Sequence, residues 1–293
     1  MDSDKCLNLL KTSSRIPPKR MFLIRVLASW KFQLKILFSY KMQLALEIID
    51  IVLSALIYYF VSFLVSPQDL MALGYTPDYV AFAISGVALS RYIWTSVSRL
   101  AHKMRHEISA GTFESLAVID MDNFKSWLIG QVLYGFTWSS MWFVGTLLVG
   151  FGLGAGFSKN PMVWLQAFLI VIFVVAVHSA IGIMAAGMYI LHKQLETLLV
   201  LMSTVIEFFG GVIYPLALLM NYPILYKIAL MIPFTHGMEL FRRTIIDEEP
   251  LYTPRMMFHL SILSAFLPLV YLSFKVFEHY LDVAKRKGLL SVY

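Results

Sequence analysis

The sequence predicts an all-α polytopic membrane protein with six transmembrane helices, and three observations lead to this prediction. Of the 293 residues, 59% are hydrophobic and 14% are charged, whereas soluble domains average about 45–50% and about 25%. The mean hydropathy is +0.72. Six apolar stretches are each long enough to cross about 30 Å of hydrocarbon as a helix. This composition excludes a disordered chain, a coiled coil, a nucleic-acid reader and a secreted disulfide scaffold.

The six predicted spans are joined by short connections that contain turn-forming residues. The stretch Ser66-Pro67 begins the first connection, and Asn160-Pro161 ends the third. Because the number of spans is even, both chain termini are expected on the same side of the membrane. The predicted spans cover residues 44–65, 79–97, 124–151, 162–191, 195–220 and 257–277.

Lysine and arginine are distributed unequally between the two faces of this layout. The face that holds both termini carries eighteen of them, and the opposite face carries five. Since basic residues accumulate in cytoplasmic connections, both termini are predicted to be cytoplasmic. Residues 1–20 then form an N-terminal tail, residues 44–280 hold the six spans, and residues 281–293 form a basic C-terminal tail.

Residues 21–43 predict an amphipathic helix that lies at the membrane surface. Apolar side chains recur there at steps of four and three, and Arg25, Lys31 and Lys35 point away from them. A basic amphipathic helix with a tryptophan is suited to the lipid headgroup layer. A soluble helix docked on a partner is the alternative. The predicted apolar stripe consists of Leu23, Leu27, Trp30, Leu34 and Leu37.

The connection between spans two and three is too long for a turn and too polar for lipid. Gly111 can break a helix there, Thr112 can cap a new one, and the helix dipole favours Glu114 in the first turn. A short cytoplasmic helix beginning near Thr112 is therefore predicted, followed by the acidic Asp120 and Asp122. A solvated surface helix without a partner is the alternative.

The stretch from Gly210 to Arg243 interrupts the regular pattern of spans. Gly210-Gly211 and Pro215 break span five in its outer half, and the apolar run that follows is too short to cross a membrane. A re-entrant extracellular hairpin between spans five and six is predicted. Irregular backbone at membrane depth is tolerated only inside protein or beside a water-filled cavity. This hairpin is therefore interpreted as an outer gate, with a capped helical hairpin as the alternative.

Ionisable side chains inside predicted spans each cost roughly 2.5–3.5 kcal/mol unless they are satisfied, and Glu207, His178 and Arg91 are the main examples. A tight turn joins spans four and five, so we expect them to be antiparallel neighbours and expect Glu207 to hydrogen-bond to His178. Arg91 either joins this pair or extends towards the cytoplasmic interface. Glu207 is either structural or faces a substrate route. Two acidic residues near the cytoplasmic end of span one are expected to meet Lys41 or a neighbouring span: Glu47 and Asp50.

Several motifs fit one known family. The stretch 78–82, followed by Gly86, looks like the start of that family's second span. Glu107 and the stretch Gly111-Thr112-Phe113-Glu114-Ser115-Leu116 look like its cytoplasmic coupling motif. The stretches 214–215, 232–235 and 238–242 look like its outer hairpin and closing arginine. Over residues 21–285 the chain resembles the type-2 ABC exporter permeases (ABC-2). It departs from their pattern at Asp120, where they usually have a proline.

The resemblance implies a non-catalytic permease subunit of an ATP-driven exporter. The chain has no Gly-x-x-x-x-Gly-Lys-[Ser/Thr] phosphate loop, so ATP and Mg²⁺ are expected on a separate ATPase subunit and no cofactor on this chain. Two permeases, identical or paralogous, would join two ATPases in the cell (plasma) membrane of a prokaryote, among membrane lipids and without nucleic acid. The cargo is expected to be a lipid, a glycan or a hydrophobic drug.

The resemblance also assigns roles to individual residues. Coupling to the ATPase falls to Glu107, Gly111, Thr112, Phe113, Glu114 and Leu116. The outer gate consists of Gly210, Gly211, Pro215, Pro233, Glu239 and Arg242.

Two other classes of protein were weighed against this one. A secondary transporter would use Glu207, His178 and Arg91 as an intramembrane ion relay, but the sequence has no visible internal repeat. A membrane-embedded enzyme would need converging catalytic groups, whereas the seven histidines are scattered and no His-Glu-x-x-His motif is present.

Overall fold

The structure is a computed structural model that describes residues 17–118 and 121–289. Over these residues all regular secondary structure is helical. Five helical segments are long and apolar enough to cross a membrane, so the prediction of an all-α membrane protein is confirmed at this level. These segments are Lys41–Ser62, Tyr79–Ser109, Phe124–Gly152, Pro161–Leu191 and Pro254–Lys287.

The described residues up to 152 form seven α-helices. They are α1 (Pro18–Ser39), α2 (Lys41–Ser62), α3 (Pro67–Ala72), α4 (Tyr79–Trp94), α5 (Leu100–Ser109), α6 (Phe113–Val118) and α7 (Met121–Gly152). A five-residue π-helical segment, Thr95–Arg99, joins α4 to α5 into one continuous long helix.

The described residues after 152 form six more α-helices and one 3₁₀ segment. The helices are α8 (Pro161–Leu191), α9 (Glu196–Phe209), α10 (Pro223–Met231), α11 (Pro233–Ile245), α12 (Pro254–Ala265) and α13 (Pro268–Lys287), and the 3₁₀ segment is Leu216–Asn221.

The predicted fifth span, residues 195–220, is not one continuous helix. It begins as α9, whose 14 residues extend about 21 Å at 1.5 Å per residue, less than the hydrocarbon thickness. Gly210 ends the helix, and Gly211 adopts a left-handed φ of 62° that glycine tolerates without cost. Five candidate spans are therefore present among the described residues where six were predicted.

The predicted sixth span, residues 257–277, lies within one candidate membrane segment, Pro254–Lys287, but its helix is interrupted by a turn. It consists of α12 and α13, with the break just before Pro268, which cannot donate a backbone hydrogen bond within a helix. Helix α13 continues to Lys287 and ends at Gly288, which has a φ of 63°. The first residues of the predicted C-terminal tail are thus helical.

The long apolar helix α8 lies at the centre of the bundle and packs against α13, α11, α5 and the π segment. Close approach to the π segment depends on Gly182, because a Cβ atom there would overlap the carbonyl oxygen of Ser96. Helix α7 packs against α4 on one side and against α1 and α2 on another.

Helix α1 docks on the chain's own α7. Val26 and Leu37 are buried, and Trp30 donates from Nε1 to Thr137 Oγ1 at 2.9 Å. Leu23 and Leu27 of the predicted apolar stripe are exposed, so they do not pack on the described part of the chain. The predicted membrane-surface position of this helix stays a prediction.

The two ends of the bundle carry different features. At one end, which we call the bend end, Gly111 follows α5, and Lys125 forms an ion pair of 2.6 Å with Glu278 of α13. At the other, the hairpin end, the Gly156 amide donates to Asp78 at 2.6 Å, and Tyr79 donates to the Ile213 carbonyl at 3.0 Å. The bend and the broken hairpin therefore lie at opposite ends of the spans.

Candidate functional site

The bend at Gly111 is a glycine-terminated helix end. Gly111 has a φ of 71°, its amide donates to the Ile108 carbonyl at 3.1 Å, and the Thr112 amide donates to the Glu107 carbonyl at 3.0 Å. This pair of bonds satisfies the last carbonyls of α5 in the manner of a Schellman motif. The Thr112 hydroxyl also donates back to the Glu107 carboxylate. Thr112 thus closes α5, and α6 begins at the next residue, Phe113.

Among the described side chains of α6, the aromatic ring of Phe113 at its start contacts the bundle. Phe113 is 1% exposed and packs edge-on against Phe124, with 6.2 Å between ring centroids. Phe124 in turn stacks on Phe277 of α13 at 5.2 Å. The bend is therefore tied to two long helices of the bundle.

The acidic residues of the predicted coupling motif differ in their surroundings. Glu107 is largely buried and pairs with Lys103 at 2.7 Å, one helical turn earlier. Glu114 is exposed and makes no ion pair with any residue in the described ranges. The side chains of Leu116 and Asp122, and the whole of Asp120, lie outside the described residues.

At the hairpin end, Arg242 of α11 is 2% exposed and joins three segments of backbone. Its guanidinium donates to the carbonyls of Phe82 at 3.2 Å, Gly211 at 2.6 Å and Val212. It also lies 3.7 Å from the centroid of the Phe82 ring. The break in span five leaves the carbonyls of Gly211 and Val212 without a helical partner, and this one side chain satisfies both. We refer to this arrangement as the arginine clasp.

A second polar cluster flanks the arginine clasp. Glu239 is 5% exposed and accepts a hydrogen bond of 2.6 Å from the hydroxyl of Tyr75. Burial, followed by the nearby charge of Glu239, raises the pKa of Tyr75, so this phenol stays protonated and donates. Arg243 contacts Glu239 at 3.7 Å and donates to the Gly74 carbonyl at 3.0 Å. The cluster ties α11 to the loop before α4.

The remaining residues of the predicted gate shape the hairpin backbone. Gly210 lies against Phe234, and a Cβ atom at Gly210 would overlap that ring. Pro215 precedes the 3₁₀ segment, and Pro233 is the first residue of α11. All six predicted gate residues thus lie in or beside one packed hairpin.

The predicted hydrogen bond between Glu207 and His178 is wrong. His178 Nδ1 faces the Val174 carbonyl at 2.7 Å, and its Nε2 is buried without a hydrogen-bond partner among the described residues. Helix α9 packs against the π segment, α4 and α11 rather than along α8. At the start of α9, Glu196 pairs with Arg105 of α5.

Arg91 and Glu207 do share one groove, and Asp50 joins them from α2. Arg91 lies 3.5 Å from Asp50 and 3.7 Å from the centroid of the Trp142 ring. Both Arg91 and Glu207 line a cavity of about 230 Å³ between α2, α4, α7 and α9. The expectation that Asp50 meets a neighbouring span is confirmed. The Trp142 ring is buried beneath Arg91.

Within residues 17–118 and 121–289 no group of three or more His, Cys, Asp or Glu is placed to hold a metal ion. No protein-family model matches the chain, and no curated protein is significantly similar to it.

Sequence reasoning assigned no positioning role to three residues that hold these sites together, although the family resemblance included Asp78 and Gly86. Asp78 caps α4 by accepting from the Ala81 amide at 3.0 Å, and an acidic residue just before an apolar helix signals such a cap. Gly86 lies where a Cβ would overlap Arg242 and Val212, and a glycine inside a helix signals close approach. Arg243 has no such signal, because an arginine pair beside a helix end is equally compatible with solvent.

Proposed function

We propose that this chain is the membrane-embedded permease subunit of an ATP-driven exporter of the ABC-2 kind, in the cell membrane of a prokaryote. Both termini would be cytoplasmic, and a separate ATPase subunit would supply the ATP chemistry. A second copy or a paralogue would complete the transport pathway. The cargo class that fits the apolar, aromatic-rich spans is a lipid, a glycan or a hydrophobic drug.

The proposal is carried chiefly by the bend at Gly111. A lever that receives force from another subunit must be exposed at its tip and rigid at its base. Glu114 is exposed at the tip, while Phe113 is buried at the base and Glu107 is fixed by Lys103. The bend is continuous with the 31-residue segment Tyr79–Ser109, which reaches the hairpin end. A push on the bend would therefore reach the arginine clasp through one long helix.

The arrangement at the hairpin end also supports the proposal. An outer gate requires non-helical backbone at membrane depth with its polar groups satisfied. The arginine clasp provides such satisfaction for residues 211 and 212. The basic residues, which the sequence concentrates on the face opposite this hairpin, are consistent with its lying outside the cell.

Affinity purification of the tagged full chain from its source membrane, followed by measurement of vanadate-sensitive ATP hydrolysis, tests the proposal. We expect an ATPase subunit to be retained in stoichiometric amount, because the exposed bend would bind in a cleft of that subunit. Glu114→Lys and Gly111→Pro should each lower its retention. Glu248→Lys, an exposed acidic residue on the opposite end, is the matched control and should leave retention unchanged.

Two results would refute the proposal. One is a purified chain without ATPase activity, and the other is an associated ATPase whose retention is the same in the Glu114→Lys and Glu248→Lys variants. An ion-coupled secondary transporter is the alternative. The ion relay that a secondary transporter would use is interrupted at His178, because His178 binds the Val174 carbonyl and not Glu207.

A further inference from the structure

Two adjoining cavities lie on the side of the bundle between α2, the π segment and α7. The first, which we call the head cavity, has a volume of about 330 Å³ and a polar lining that includes Glu47, Arg91 and Arg99. The second, the apolar slot, has a volume of about 410 Å³ and is lined almost wholly by apolar atoms between α2 and α7. Glu47 and Trp138 line both cavities, so the two are continuous.

The head cavity contains one unpaired charge of each sign. Arg99 lies 4.4 Å from the Tyr134 ring centroid and 5.7 Å from that of Trp138, but no described acidic group pairs with it. Glu47 likewise makes no ion pair with any residue of the two described ranges. Arg91, in contrast, is occupied by Asp50. A ligand that carries both an anionic group and a cationic group would satisfy both Arg99 and Glu47.

The π segment places Arg99 in this cavity. In a regular α-helix, eight residues turn through about 800°, so Arg91 and Arg99 would point about 80° apart. The extra residue of a π-helical turn removes about 100° of rotation. The two arginines consequently face the same cavity, and Thr95–Arg99 is the only described part of the long helix with this geometry.

The depth of Arg99 matches that of a lipid headgroup. Arg99 follows the first residue of α4, Tyr79, by twenty positions, which is about 30 Å of helix and equals the thickness of the hydrocarbon core. If Tyr79 lies at one interface, Arg99 lies at the other. Arginine and tryptophan side chains are favoured at that level.

The length of the apolar slot matches one leaflet. Along α7 it extends from Trp138 to Val149, which is about 16 Å at 1.5 Å per residue. Half of a hydrocarbon core of about 30 Å is about 15 Å. Gly145 forms part of its floor, where Ile51 of α2 approaches closely. The slot therefore accommodates one extended acyl chain that runs from the headgroup level towards the bilayer centre.

We propose that the head cavity and the apolar slot together bind a zwitterionic phospholipid. Its phosphate lies on Arg99, its ammonium group lies on Glu47, and one acyl chain occupies the slot. A phospholipid whose headgroup carries only negative charge fits less well, because Glu47 repels it. This site does not depend on the proposed export function, since it concerns lipid held at the side of the bundle.

Native mass spectrometry of the purified full chain in detergent tests the site. The chain is titrated with phosphatidylethanolamine or with phosphatidylglycerol of identical acyl chains. We expect phosphatidylethanolamine to bind about tenfold more tightly, which is the order expected for one hydrogen-bonded charge pair. Glycerophosphoethanolamine, the same headgroup without acyl chains, should fail to compete at equal concentration.

Variants assign the two headgroup contacts. Glu47→Gln should weaken phosphatidylethanolamine and strengthen phosphatidylglycerol, so that the preference falls to about threefold or less. Arg99→Gln should weaken both lipids, and Arg99→Lys, which keeps the charge, should retain binding. Leu148→Trp, at an exposed position of the slot, should weaken the full lipids by steric obstruction. Glu248→Gln and Arg255→Gln are matched controls at exposed positions of the hairpin end.

Several outcomes would overturn the site. Equal affinity for the two lipids would show that Glu47 does not bind the ammonium group of the headgroup. A preference that Glu47→Gln leaves unchanged would show the same. Competition by glycerophosphoethanolamine as strong as that of the whole lipid would identify a soluble headgroup as the ligand. A dimer that binds neither lipid and shields Trp138 from a water-soluble quencher would identify a second copy of the chain as the occupant.

Discussion

Gly86 and Arg242 occupy adjoining positions so closely that a Cβ atom on Gly86 would overlap the Nη2 atom of Arg242. The same Cβ would overlap the Val212 carbonyl oxygen. A glycine in the middle of α4 therefore gives the arginine clasp its room, at the cost of about 0.5–1 kcal/mol of helix propensity relative to alanine.

Gly86→Ala should destabilise the protein although alanine is the better helix former. Overpacking of a filled site costs about 1–3 kcal/mol, which exceeds the gain in helix propensity. A lower melting temperature in detergent would record this loss. Gly152→Ala is the matched control, because nothing lies within 4 Å of its Cβ position, and it should leave the melting temperature unchanged or raised. Equal melting temperatures of the two variants would contradict the close packing.

Arg242→Met should loosen the hairpin. The substitution keeps much of the side-chain volume but leaves the carbonyls of Gly211 and Val212 without their donor, and each buried unsatisfied group costs about 1–3 kcal/mol. Faster proteolysis within residues 210–216 is the expected readout. Arg242→Lys should restore only part of the protection, since one ammonium cannot reproduce the fork that contacts three carbonyls. Arg255→Met, an exposed arginine at the same end, should cleave at the wild-type rate.

Phe113→Ala should free α6 from the bundle without unfolding it. Removal of a buried phenylalanine costs about 3–5 kcal/mol, and here the loss falls on the contact with Phe124. Faster amide hydrogen exchange in residues 113–118, with unchanged exchange in α8, is the expected result. Phe258→Ala is the control, because that ring is half exposed. Uniformly faster exchange in both segments would mean that Phe113 supports the whole bundle.

Acidification should destabilise the hairpin end through His236. His236 Nε2 donates to the Leu230 carbonyl at 2.9 Å, and its Nδ1 lies 2.9 Å from Nδ1 of His259. A second proton on His236 would bind at Nδ1 and place two N–H donors opposite each other. Burial lowers the pKa of His236, while the Leu230 carbonyl and Glu239 oppose this shift without cancelling it.

The sign of the pH effect follows from this lowered pKa. Below about pH 6.5 the unfolded chain binds a proton at His236 that the folded chain does not, so stability is full above that pH and is lost as pH falls. The melting temperature should fall by roughly 2–4 °C for each 1 kcal/mol lost. His236→Gln should flatten this dependence below pH 6.5, whereas His279→Gln, at an exposed position, should not. An equally steep decline in both variants would assign the effect to other groups.

The apolar lengths and the glycines of the sequence predicted much of this architecture. Four of the six predicted spans correspond to uninterrupted helical segments. The helix breaks at Gly111 and Gly210 lie at the positions that glycine and proline in the sequence predicted. These features are local, because a helix long enough to span, or a residue that tolerates positive φ, is set by the chain itself.

The neighbours of α9 could not be predicted in the same way. A short connection at residues 192–195 fixes where α9 begins but not the side of the bundle on which it lies. In the structure, α9 is joined to its neighbours by the ion pair of Glu196 with Arg105 and by the Ser98–Ser203 hydrogen bond of 3.3 Å. Both join residues about a hundred positions apart, and no periodicity in the sequence records such a contact. The error over Glu207 and His178 follows directly from this.

The arginine clasp also limits how the hairpin end can move. Since one guanidinium is bonded to α4 and to residues 211 and 212 while belonging to α11, these three segments travel as one rigid piece. Separating any two of them would expose bare peptide groups to hydrocarbon, at several kcal/mol for each group. Any opening of a pathway at the hairpin end must therefore occur elsewhere. The exposed flank of α2 and the interface with a second copy of the chain are two such places.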